Sequence, residues 1–489
     1  MTGISDRKVL DSALATAVEV VGPDRARVAW EESAEPTAGG PNISMFRSRR
    51  LWGTLYPSTV EEVQQLVRLF DPTPASIHPY STGRNWGLGS REAADDDAVA
   101  LCLSGLDRIR EVDVAAGYSI VEPGVTQACL ARRLDGTDRM LNLTASSART
   151  SILGNGLDRG VGLRRPRIKD IAGLEVVLPN GDLVRVGQWP GAPLVGPNAM
   201  ELFVQSGLGV VTAGVIRLLP RPEAARVLWL SFPPEQLSAA GNTVRRWARQ
   251  GLTRSAVRIY DPNAATPYGQ HNGRYLVHIC IDGTLDAVEA LTATVLREAE
   301  AADLDLVVPD KSAAELVERE YTGSPDLDDT LFRAKLGGHL IEDLEEQVGL
   351  VFFLPHLPFS GEAFARADAT LAQVRKETGA ACGGTFFTLD EDTVLHIIAV
   401  RFNRDDTEAN RAHRALDLLH ELFAQAGFLP SRLDIDHTSR SQDTTPNSTA
   451  PQLMHRIRNM LDPHETIAPG RYGQATQAPI SEAGRRPAS

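Results

Sequence analysis

Two glycine-rich stretches, HPYSTGRNWGLGS (His78–Ser90) and SILGNGLDRGVG (Ser151–Gly162), carry the densest chemistry of this chain. In the first, Pro79 ends an apolar run, after which Ser81, Thr82, Gly83, Arg84 and Asn85 supply small side chains, hydroxyls and closely spaced backbone N–H groups. Successive amides in a tight turn form an anion-binding concavity, and glycine lets the backbone approach phosphate oxygens closely. The row therefore suits a pyrophosphate. Taken alone it reads first as a hairpin turn, and it is not a Rossmann fingerprint: the glycine spacing differs and no helical run follows directly.

The elements that must position these loops follow from hydrophobic periodicity. DRKVLDSALATAVEVVG has apolar residues at helical intervals, and YPSTVEEVQQLVRLF reads as a helix capped by Ser58 or Thr59, with Glu61 and Glu62 in its first turn. AVALCLSGL, IREVDVAAGYSIVEPGV and GLEVVLPNGDLVRVG read as strands, the last turning at Asn180-Gly181. Further on, LDAVEALTATVLREAEAA and GEAFARADATLAQVRKETGA read as helices, and RYLVHICI, LVFFLP and TVLHIIAVRF as strands. This mixture predicts an α+β protein. The 489 residues exceed the roughly 250–300 that one core supports, so more than one domain is expected.

A net charge of −13 and the lack of a basic run argue against nucleic acid as a partner. No apolar stretch approaches the roughly 20 residues needed to span a bilayer. The first thirty residues are charged throughout, unlike a signal peptide, and a cytoplasmic protein without membrane contacts is expected. Cys102, Cys129, Cys280 and Cys382 have neither metal-ligand nor redox spacing, so reduced thiols and no metal are expected.

The motifs STGRNWGLG, VEPGV (Val121–Val125), GNGLDRGVG (Gly154–Gly162), GLEVVLPNGDLVRVG (Gly173–Gly187), GLGVVTAGVIRLLP (Gly207–Pro220) and LDP…APGRYG (Leu461–Gly473), in this order, resemble the vanillyl-alcohol oxidase and p-cresol methylhydroxylase family of FAD proteins. The resemblance implies a PCMH-type two-part FAD-binding domain and a substrate (cap) domain whose antiparallel sheet is covered by helices. With the composition changes along the chain, it divides the sequence into an N-terminal helical segment (1–45), the FAD domain (46–222), the cap (223–446), a return segment (447–473) and a polar tail (474–489). It implies FAD contacts from Ser81, Thr82, Gly83, Arg84, Asn85, Trp86 and Gly124. Gly154, Asn155, Asp158, Arg159 and Gly160 would lie along the flavin ring, Gly207, Gly209, Val210, Val211 and Thr212 toward the adenosine, and Arg471 beside the cofactor. A small-molecule substrate, a homodimer and either oxygen or another carrier as electron acceptor are also implied.

Departures from the family pattern bear on function. Relatives that oxidise 4-alkylphenols hold the phenolate with three tyrosines, and the matching positions here are Leu88, Leu163 and Ser431. Losing hydrogen bonds to a buried anion of about 1.5–3 kcal/mol each argues against phenol substrates. Leu350 replaces a linking histidine, so dissociable FAD is expected. Arg432 is retained and would stabilise charge on the reduced flavin. Arg432, His396 and Ser146 are the candidate catalytic residues, His396 as one of two neighbours on a strand of which a single one faces the flavin. His356, Arg333, Arg401 and Glu346 are further candidates for the cavity, and Ala145 aligns with a position where alanine is commoner in dehydrogenases. The expected activity is FAD-dependent hydride removal from an alcohol, amine or hydroxy acid, as in a secondary-metabolite tailoring enzyme. A degenerate FAD-binding protein of the same fold is the alternative.

Overall fold

The computed structural model describes residues 4–28, 43–89, 91–192, 194–336, 348–442 and 449–473. The polar tail and residues 443–448 thus lie outside the described residues, as do His339 and Glu346.

Residues 26–217 build two sheets. The first has four strands in the order Ala26–Val28, Leu51–Leu55, Ala98–Cys102 and Ser76–Tyr80, the last three mutually parallel. Parallel pairing requires a crossover, here the helix Val60–Phe70, whose Val63, Leu66, Val67 and Phe70 are fully buried. Thr59 is its cap, accepting from the Glu62 amide at 3.1 Å, while the Glu62 carboxylate accepts from the Ser58 amide at 2.7 Å. The second sheet is antiparallel, in the order Ile109–Asp113, Tyr118–Val121, Val210–Arg217, Ile171–Val177 and Leu183–Gly187. Its hairpin at Asn180-Gly181 uses a φ of +79° at Gly181.

Residues 224–403 form an eight-stranded antiparallel sheet whose central strands are Tyr275–Gly283, Arg258–Tyr260, Ala381–Thr388 and Thr393–Asn403. Along Thr393–Asn403, Val394, His396, Ile398 and Val400 are all buried on one face. The helices Gly361–Thr378 and Asp406–Gln425 pack there, through Phe364, Leu371, Leu419 and Phe423. The opposite face is left for a cavity. After helix Ala450–Leu461 the chain returns to the first sheet: the Ile77 amide donates to the Thr466 carbonyl at 2.7 Å, and the Ala468 amide to the Ile77 carbonyl at 2.8 Å. No helix among the described residues is long and apolar enough to cross a membrane. All four cysteines are free.

Candidate active site

The turn after strand Ser76–Tyr80 faces the N-terminus of helix Ile152–Leu157 across a cavity of about 230 Å³. Ser151 caps that helix, its Oγ accepting from the Gly154 amide at 3.0 Å and donating to the Pro123 carbonyl at 2.6 Å. A Cβ at Gly154 would overlap Ser81 Oγ, so the two loops approach closely because this residue is glycine. Gly83 has a φ of +67°, and a side chain there would run into Arg91. Ser81, Thr82, Gly83, Arg84, Asn85, Asn155, Asp158, Gly209 and Val211 line the cavity.

The third wall arrives from the far end of the sequence as Arg432, Ile435, Ala468, Arg471 and Tyr472. Arg432 donates to Asp158 Oδ2 at 2.5 Å and to Asn85 Oδ1 at 2.9 Å, tying three distant segments together. Its loop is fixed by Asp434, which is 1% exposed and accepts from His437 Nδ1 at 2.9 Å, the Asp436 amide at 3.0 Å and His420 Nε2 at 3.3 Å. Burial opposes that charge, but the bonds from the two histidines hold the Asp434 carboxyl well below the usual range. His78 also lines the cavity, and burial beside Arg471 pushes its pKa down to about 4, which keeps it neutral. Three buried polar atoms in this cradle, Asn155 Oδ1, Asp158 Oδ1 and Arg471 Nη1, have no hydrogen-bond partner in the protein. Unmet buried groups of this kind mark a place where a polar ligand belongs.

A second cavity of about 230 Å³ shares Arg84 and Thr150 with the first, so the two lie side by side. One wall is the free face of the large sheet: Ile397, Ala399 and Arg401 alternate with the helix-facing set of their strand, beside Gly383, Thr385, Phe387, Leu350, Phe352, Arg258 and Tyr260. The wall near the first cavity has Ala145, Ser146, Thr150, Val161 and Leu163, and a third wall has Tyr268, Phe332, Lys335 and Leu336. The Tyr260 hydroxyl donates to that of Tyr268 at 3.1 Å, and Lys335 Nζ lies 3.4 Å from the Ala145 carbonyl. A cradle with several polar groups thus lies beside a mostly apolar chamber.

Residues 53–187 match the model of an FAD-binding domain. The chain is 28% identical to 1'-carboxy-chondrochloren decarboxylase of Chondromyces crocatus, over 95% of this chain and 97% of that one. It is 26% identical to the flavoprotein subunit of 4-cresol dehydrogenase [hydroxylating] of Pseudomonas putida, over 85% and 86% of the two chains. The fold superposes on 4-ethylphenol oxidase from Gulosibacter chungangensis with a TM-score of 0.85 at 20% identity, covering 96% of this chain and 98% of that one.

The chain carries an FAD-binding domain, and its homologues and structural neighbours include PCMH-type FAD-linked oxidoreductases.

In this flavoprotein the residues of the cradle fit FAD: glycines where backbone must approach, hydroxyls and arginines for a diphosphate, and unpaired polar atoms for a ring edge. Several expected positions lie elsewhere. Trp86 lines the second cavity, stacked on Phe332 at 5.5 Å. Arg159 points outward, 46% exposed and 3.5 Å from Glu201. Gly160 packs on Asn155, and Gly124 packs on the Ser104 carbonyl. Val210 faces the core of the first sheet, because strand alternation gives the cradle Gly209 and Val211.

Among the catalytic candidates, Arg432 and Ser146 line cavities and His396 does not. His396 is 1% exposed and stacked on Phe386 at 4.2 Å, on the helix-covered face, and burial pushes its pKa down to about 3. This corrects its assignment as a substrate-facing base: odd-numbered residues of the strand face the chamber. His356 is exposed, whereas Arg401 does line the chamber. Leu163 and Leu350 line the chamber, Leu88 the cradle, and Ser431 is tied to Leu354 and Gln205 by its backbone. Arg258, Tyr260, Tyr268 and Lys335 were not foreseen. Their one sequence signal is an arginine inside the apolar run SAVRIY.

Proposed function

We propose that this protein oxidises a small, non-phenolic organic substrate, an alcohol, amine or hydroxy acid, by hydride transfer to dissociable FAD, as a tailoring-type enzyme. The carrying observation is a pair of adjacent cavities that share Arg84 and Thr150 in their walls, one whose residues would hold FAD and one that would hold a small molecule. Bound there, FAD supplies the hydride acceptor. Arg432, oriented by Asp158 and Asn85, places a fixed positive charge where negative charge accumulates on reduction. Ser146 joins a hydroxyl chain, 2.5 Å from Thr144 Oγ1 and 3.0 Å from Thr150 Oγ1, that can hydrogen-bond a substrate heteroatom and orient it. Leu163, Phe332, Leu336 and Phe352 keep water from the reacting carbon. Leu350 offers no group for a covalent flavin bond, and Ala145 supports a dehydrogenase. The resemblance supports a homodimer.

The full-length likeness to a decarboxylase favours a second reading. A hydride leaves one carbon while the C–CO₂ bond of its neighbour breaks, and that electron pair becomes the new C=C bond. Anaerobic mixing with alcohols, amines, hydroxy acids and other acids, followed at the flavin band and by CO₂ assay, tests both. Bleaching without CO₂ supports the first reading, and one CO₂ per flavin reduced supports the second. Rapid bleaching by vanillyl alcohol alone contradicts both.

A further inference from the structure

We propose that the wall of the chamber formed by Arg258, Lys335, Tyr260 and Tyr268 is a carboxylate-binding subsite, so that the substrate is an organic acid held by its carboxylate with its apolar part directed toward Arg84 and Thr150. The inference rests on the oxidative reading of the site and holds for either fate of the carboxylate.

Among the described residues, the chamber lining includes Arg84, Arg258, Lys335 and Arg401 and not one Asp or Glu. Most of the remaining lining is apolar, Trp86, Phe332, Leu336, Leu350, Phe352 and Phe387 among it. Cations gathered in apolar surroundings repel one another and lose hydration, so an anionic partner gains far more here than in water. Arg258 is the sharpest case. It is 3% exposed in the middle of the large sheet, and its Nε donates to the Tyr321 hydroxyl at 3.0 Å. Its Nη2 is buried with no partner in the protein. A guanidinium presents a planar fork, and the ligand that fits such a fork through two parallel bonds is a carboxylate.

Glu320 lies behind this wall, 7% exposed, with one oxygen unpartnered and its pKa raised by burial. It offsets part of the positive charge without entering the chamber lining. Lys335 is pushed below the ordinary lysine range by burial, which Glu320 opposes, and a bound carboxylate would favour its charged form. Burial pushes the Tyr268 hydroxyl up to about 12, so at neutral pH it is a hydrogen-bond donor and adds no competing charge. The apolar lining between this wall and Arg84 and Thr150 suits an aryl or branched alkyl group.

The test uses the purified flavoprotein and four probes: phenylacetate, 3-phenylpropionate and their amides. Binding is read from the flavin difference spectrum and from quenching of Trp86, which lines the chamber. The carboxylates are expected to bind at least about 10-fold tighter than the amides, the amount one charge-assisted bond is worth. Lys335→Met should remove most of that preference and Arg258→Met all of it, with FAD content unchanged. Amides that bind as well as the acids overturn the proposal, as does a normally folded Lys335→Met variant with unaltered preference. Should Arg258→Met fail to fold, Lys335→Met decides. A protein that takes up no FAD defeats the oxidative reading instead, and Trp86 quenching by the acids then reports on the subsite separately.

Discussion

The cradle and the chamber have nearly the same volume and sit side by side, yet they are built in opposite ways. The cradle comes from loops and one short helix: contiguous runs at 81–85 and 154–158 bring glycine, hydroxyl and amide groups to one place, closed by the Arg432 and Arg471 segments. The chamber comes from strands, taking every second residue of several strands plus a few helix residues, with each group set by the parity of its position. The loop-built site recognises a constant ligand through backbone geometry, and the strand-built wall can exchange side chains without disturbing the fold.

The largest effect should come from breaking the cradle. Gly83→Val forces a branched residue to a φ of +67° and into Arg91, so FAD per polypeptide should fall at least about tenfold. Normal flavin content in that variant would remove the reason for placing the diphosphate at 81–85.

Arg432→Ala acts where the cradle closes. Loss of one fixed donor should slow flavin reduction by roughly 10²–10³ and lower the reduction potential. Asp158 loses its partner in the same change, so melting temperature and flavin content must accompany the rates. A well-folded variant with an unchanged potential would detach Arg432 from the flavin.

His396→Leu sharpens the contrast from the chamber side, and its effect on turnover should be under about twofold because the ring faces the helices. Its stability signature is specific. The folded-state pKa, about 3, lies below the unfolded value of about 6.5, so the unfolded chain binds more protons between them. Stability is therefore lost as pH falls from about 6.5 toward 3, and the variant should lose less over that range in melting experiments. A tenfold fall in reduction rate would return His396 to the chemistry.

The same contrast explains what was legible in the sequence. Ser81–Asn85 and Asn155–Asp158 could be read directly, since a turn motif carries its own geometry, and the helices 60–70, 285–300 and 361–378 followed from periodicity. His396 and Arg401 stand five residues apart on one strand, an odd separation that puts them on opposite faces, and deciding which face was buried required knowing where the helices lay. Arg258 and Lys335 line one chamber only because the strand Arg258–Tyr260 pairs centrally and helix Thr330–Lys335 packs against the turn Thr266–Tyr268. Pattern within either segment alone does not contain that contact.

The measurement that tests the account most directly is acid precipitation of the purified, FAD-saturated protein, with flavin quantified in supernatant and pellet. The cradle and Leu350 together predict one FAD per chain, all of it released to the supernatant. A chain that binds no FAD, or a pellet that stays yellow after denaturation, would contradict it.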